Sequence, residues 1–150
     1  MVKLQLIELS AENALAANSL ELLLGQEKFV TPSTYENAQE SLDHQKTWSR
    51  LIIQGERSVG LIRAYFDETH PDEYLRSCIW RITVAAPARG QGVGRFAVAA
   101  AIERAAALRF RQITAMWPDG EDGPGSFFLH LGFSQIGVSE FGDIIGSISV

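Results

Sequence analysis

Cysteine is almost absent, Cys78 being the single one in 150 residues. No internal disulfide can form, and the apolar strand pattern around Cys78 predicts an inert buried thiol rather than a nucleophile. Long apolar runs are missing too. Nothing approaches the ~20 residues that cross a bilayer, and Met1-Val2-Lys3-Leu4-Gln5 lacks the apolar stretch and cleavage site of a secretory leader. No membrane partner and a cytoplasmic location are therefore expected. Histidines are few, and His44, His70 and His130 stand too far apart for metal-ligand spacing, so no metal is expected. Positive charge is outnumbered, with 13 Lys and Arg against 18 Asp and Glu, which removes the basic cluster that nucleic-acid binding requires.

The remaining composition, 46% apolar and 21% charged, belongs to a chain that folds around a core, and 150 residues suit one domain spanning 1–150. Alternation from Lys3 to Leu9 predicts an opening strand. Ser10 then caps a helix to about Leu24, and Ser33 or Thr34 caps a second helix to about Lys46. Three strands are predicted at Trp48 to Gln54, Ser58 to Phe66 and Ser77 to Val84, joined by a turn at Gly55-Glu56 and a polar loop around His70-Pro71-Asp72. A glycine loop follows, then an alanine-rich helix from about Gly92 to Leu108 with Arg95, Ala99 and Glu103 along one stripe. A strand from Gln112 to Trp117 completes a β-loop-α-β unit, which requires a parallel pairing. A short helix at Ser126 to Leu131 and strands near Phe133 to Gly137 and Asp143 to Val150 close the chain. The fold class is α+β, a mixed and mostly antiparallel sheet with one parallel junction and helices on both faces.

The segment Arg89-Gly90-Gln91-Gly92-Val93-Gly94-Arg95 carries the chemistry. Glycines at alternate positions let the backbone approach a ligand and turn successive N–H groups toward one spot at the positive end of a helix, a setting that binds anions. Arg89 and Arg95 add charge-assisted donors for phosphate oxygens. A nucleoside-triphosphate loop is excluded, because Arg95-Phe96 follows Gly94 where Lys and Ser or Thr would stand. A dinucleotide fingerprint matches formally at Gly92, Gly94 and Ala97, but an antiparallel meander precedes the loop and too little chain follows it.

This loop resembles motif A of the GNAT N-acetyltransferase superfamily, written Q/R-x-x-G-x-G/A, with Arg89, Gly92 and Gly94 on its defining positions. Phe127-Phe128-Leu129-His130-Leu131-Gly132-Phe133 resembles motif B, which ends in "LGF". Phe29-Val30-Thr31-Pro32 with Tyr35, Ile79-Trp80-Arg81-Ile82 and Gly142-Asp143-Ile144-Ile145 look like the bacterial diamine and spermidine acetyltransferase branch. The resemblance implies acetyl transfer from acetyl-coenzyme A to a small-molecule amine such as a polyamine. It places the pyrophosphate on the amides of Gly90, Gln91, Gly92, Val93, Gly94 and Arg95, and the pantetheine beside Ile82 and Val84.

An alkylamine is mostly protonated at neutral pH, so the reaction needs a proton acceptor. Two acidic sets qualify: Glu36, Glu40 and Asp43 at i, i+4, i+7 spacing, or Asp119, Glu121 and Asp122 beyond Trp117. The resemblance also implies a tyrosine acid four residues before the glycine of "LGF", where this chain has Phe128. Ser126, His130 or a water is left to protonate the thiolate; otherwise the chain is a coenzyme-binding sensor or partner-binding module without turnover. A homodimer is the expectation for a soluble enzyme.

Overall fold

The computed structural model describes residues 3–8, 46–85, 88, 90–120, 125–139 and 142–150. The two helices expected between Ser10 and Lys46 lie outside the described residues. One seven-stranded sheet organises the rest: β1 (Leu4–Glu8), β2 (Thr47–Gln54), β3 (Arg57–Phe66), β4 (Ser77–Val84), β5 (Gln112–Trp117), β6 (Ser134–Val138) and β7 (Ile144–Ser149). Their spatial order is β1-β2-β3-β4-β5-β7-β6. Helix α1 (Val93–Ala107) joins β4 to β5, and the short helix α2 (Gly125–His130) follows β5. The expected polar loop before β4 contains a 3-10 turn at Glu73–Leu75.

The first four strands form an antiparallel meander. Gly55, at φ 65°, supplies the left-handed turn that joins β2 to β3 with Gln54 opposite Arg57. β4 and β5 then run parallel, as the crossover through α1 demands, and β7 returns antiparallel between β5 and β6.

Strand alternation sorts the side chains onto two faces. Ile52, Ile62, Ala64, Ile79, Ile113 and Ala115 meet Ala97, Val98, Ala101 and Ala105 of α1 in one core. The alanines are small enough to let the helix lie close on β3, β4 and β5. Arg95, Ala99 and Glu103 face solvent on the far side of that helix, as their spacing predicts. The opposite sheet face gathers Tyr65, Cys78, Trp80, Met116 and Ile145 with Leu75. Cys78 is completely buried, and loss of hydration pushes its thiol up to about 12, so it stays protonated and inert as expected.

Two irregularities shape the middle of the sheet. The β4–β5 ladder consists of only two pairs, Cys78 with Thr114 and Ile79 with Ala115. Beside it the β3–β4 register jumps from Arg63 opposite Arg81 to Ala64 opposite Ile79, which leaves Trp80 as the extra residue of a β-bulge. β4 therefore leaves its ladder with β5 after Ile79, and of its last five residues Val84 reaches the groove described below. Thr114 secures the closed end, its hydroxyl donating to the carbonyl oxygens of Tyr74 at 2.5 Å and Ser77 at 3.1 Å.

Candidate functional site: a glycine loop beside an open strand

The chain leaving β4 is tied down at once, because the Ala85 N–H donates to Val59 O and the Ala88 N–H to Ala85 O, each at 2.8 Å. Gly90 and Gly92 then adopt φ 78° and 84°, a region that costs other L-residues about 1–2 kcal/mol each. Val93, 2% exposed, anchors the start of α1 over Gly60, where a Cβ would stand 3.0 Å from the Val93 side chain.

The first helical bond runs from the Phe96 N–H to Gly92 O at 2.9 Å. The amides of Gly92, Val93, Gly94 and Arg95 donate to no other described residue, and no side chain caps the helix at Gly92. Hydrogen-bond donors and the positive helix end are therefore offered together to an anion. A groove of about 700 Å³ opens there, lined by Val84, by the loop glycines and Arg95, and by Ser126, Phe127 and His130 of α2. Gly94 serves a different end from its neighbours. A Cβ there would meet the tip of the Phe127 ring at 3.0 Å, so its small size lets α2 close against α1.

Phe128 points inward. Its ring is 5% exposed, stacks on Trp117 at 5.0 Å between centroids, and meets Phe127 and Phe133 edge-on at 5.1 and 5.3 Å. Room for Trp117 comes from Gly146, where a Cβ would overlap the indole. Ser126 and His130 are exposed on the same helix and line the groove, and Ser126 lies inside the first turn of α2 rather than capping it. Ile82 and Val84 are half-buried on the open part of β4, and Asp119 is exposed after β5. Arg89, Glu36, Glu40, Asp43, Glu121 and Asp122 lie outside the described residues.

Three further residues were given no site role by the sequence reading. Arg63 and Arg81 face each other across β3 and β4 with their guanidinium carbons 5.9 and 5.4 Å from the centre of the Trp80 ring. Asp143, just before β7, is 3% exposed; its Oδ2 is buried with no hydrogen-bond partner among the described residues, and desolvation raises its pKa above the ordinary 3.8. An arginine inside an otherwise apolar strand, as in Leu61-Ile62-Arg63-Ala64, was the available signal for the first pair.

Comparison with known proteins agrees with this geometry. The model of the acetyltransferase (GNAT) family matches residues 17–133. The chain belongs to that family. Its sheet of seven strands with one parallel pair is the GNAT fold, and its reaction class is acyl transfer. A GNAT-family protein of Desulfovibrio desulfuricans superposes with a TM-score of 0.76 at 18% identity, covering 98% of this chain and 99% of that one. An acetyltransferase of Thermus thermophilus gives 0.73 at 17% identity, with 100% of both chains covered. N-acetylglutamate synthase of Neisseria gonorrhoeae, solved with coenzyme A and N-acetyl-glutamate, gives 0.68 at 12% identity over 99% of this GNAT chain and 35% of its own. No curated protein sequence matches. Among the described residues no helix is long and apolar enough to cross a membrane.

Proposed function

We propose that this GNAT chain moves the acetyl group of acetyl-coenzyme A to the primary amine of a small molecule by direct attack in a ternary complex. The amine nitrogen bonds to the thioester carbonyl carbon, the carbon–sulfur bond breaks, the amine loses a proton and the thiolate takes one up. The reading rests on one observation: among the described residues the four amides from Gly92 to Arg95 have no acceptor, and they border a groove at the uncapped start of α1. Those donors suit a diphosphate, with Arg95 and, by sequence, Arg89 adding charge. The open edge of β4 at Ile82 and Val84 is the course proposed for the pantetheine.

Glu36 and Glu40 are the proposed proton acceptors. Ser126 and His130, which border the groove, are the proposed sources of the proton for sulfur where Phe128 has none to give. A polyamine acceptor is the finer form of this reading, supported by the strings Ile79-Trp80-Arg81-Ile82 and Gly142-Asp143-Ile144-Ile145 and by the net charge of −5. The reducing cytoplasm is the proposed compartment, in keeping with a lone free thiol.

Calorimetry with acetyl-coenzyme A, followed by thiol release in the presence of polyamines, amino acids and peptides, tests the reading. Heat of binding and thiol release only with an amine are expected. Binding without release from any amine would favour the sensor module, and absence of binding would end both.

A further inference from the structure

The two edges of the sheet differ in charge. β1 borders one side and carries Glu8, with Lys3 just before it; β6 borders the other and carries no charge. The uncharged run outlasts the strand, since neither an ionisable side chain nor a proline occurs from Leu131 to Ser139. Edge strands ordinarily use such residues to prevent pairing with another chain. β6 pairs with β7 on its inner side, and among the described residues nothing pairs with its outer side.

Apolar exposure collects at the same edge. Leu108, Leu129, Ile136, Val138 and Val150 are the large apolar residues exposed among the described residues, and Leu129, Ile136 and Val138 lead them at 52, 56 and 60%. Val138 lies opposite Ile144, which packs against the core that holds Trp117 and Phe128, so Val138 is on the sheet face that carries α2 and its Leu129. Ile136 is the extra residue of a bulge, between Gln135 opposite Gly146 and Gly137 opposite Ile145.

Charge selects the partner. Two copies of a chain with a net charge of −5 repel one another, and the repulsion is least where the surfaces that meet carry no charge. Antiparallel pairing is also self-complementary. A strand laid beside a two-fold copy of itself offers acceptors to N–H groups and donors to C=O groups, and the contact closes without a second surface.

We propose that two copies of this chain associate through β6, paired antiparallel about a two-fold axis close to Ile136, so that one sheet runs through both. Leu129 and Val138 of each copy are covered beside the new ladder. A strand of five residues makes a small interface, so association in the micromolar range is expected. The proposal stands independently of the acetyl-transfer reading.

Sedimentation velocity on the full chain from about 1 to 200 μM is expected to show a monomer–dimer equilibrium. The dimer should persist in about 0.5 M NaCl, because salt screens the repulsion between copies and finds no ion pair to break at this edge. Ile136→Lys and Val138→Lys, both at exposed positions, are expected to weaken dimerisation at least about 10-fold while thermal unfolding of the monomer is unchanged. Ile136→Cys should cross-link to its own copy under mild oxidation, whereas Leu108→Cys, just past the end of α1, should not; Cys78 is buried and silent in both. Hydrogen exchange gives a readout without substitution: the amides of β6 should slow as concentration rises, and those of β1 should not. A monomer throughout the concentration range overturns the proposal. So does a dimer that both lysine variants leave intact or that salt dissolves, equal cross-linking of the two cysteine variants, or exchange in β6 that ignores concentration.

Discussion

Phe128 shows how much one missing oxygen can matter. Its ring sits in an aromatic cluster with Trp117, Phe127 and Phe133, so the position is held by packing and has no proton to offer. Phe128→Tyr is expected to raise kcat at least about 10-fold if an acid is lacking, with acetyl-coenzyme A affinity little changed. The new hydroxyl enters an apolar cluster, so a stability loss of about 1–3 kcal/mol is expected in thermal denaturation. An unchanged or lower kcat would assign the proton to Ser126 or His130.

Asp143 supplies a pH signature. Its pKa is raised in the folded chain, so between the ordinary value of 3.8 and the raised one the native state binds more protons than the unfolded state. Stability then falls as pH rises through that window and stays at the lower level above it. Asp143→Asn should stabilise the protein at neutral pH by about 1 kcal/mol and lose that advantage below pH 3.8, as read by urea denaturation at both pH values. Equal stability at neutral pH would mean that the carboxylate is compensated in solution.

At the scale of elements, the glycine loop joins backbone strain to binding. Among the described residues no atom lies within 4 Å of a Cβ built on Gly92, so Gly92→Ala acts through its φ of 84°. A stability cost of about 1–2 kcal/mol is expected, together with a loss of at least about 10-fold in acetyl-coenzyme A affinity as the amides turn aside. Calorimetry separates the two effects, and undiminished affinity would contradict the role given to these amides.

Most elements were legible in the sequence because their signals are local. Alternation marked β1, strand-forming runs between turn signals marked β2, β3 and β4, Gly55 marked the hairpin, and the Arg95-Ala99-Glu103 stripe marked the outer side of α1. Other features depend on distant partners. Arg63 and Arg81 meet only because a bulge shifts the register, and nothing near Gly94 reveals that its missing side chain makes room for Phe127. The burial of Asp143 was equally hidden, since an aspartate at the head of the predicted strand Asp143 to Val150 gives no local sign of what will enclose it. The turn of glycines before α1 was readable in the sequence, and Gly90 and Gly92 do take positive φ, whereas the bulge at Trp80 beside it has no local signal.

At the scale of the molecule, the crossover at β4 and β5 decides where a ligand can lie. One leaf of the sheet is β1 to β4, the other is β5, β7 and β6, and two residue pairs join them directly. Hydrogen exchange should find the amides of Ile82 to Val84 among the least protected in the central strands, and coenzyme should slow them at least about 10-fold. Exchange in that segment unaffected by saturating coenzyme would place the pantetheine elsewhere.

Such a narrow join has a mechanical consequence. Pulled from its two ends, the chain should yield first along the gap between the leaves, as paper tears at a perforation, while each leaf keeps its own ladder. A ligand threaded into the gap would act as a rivet, raising the force at which the leaves separate and leaving the force that strips β6 from β7 the same.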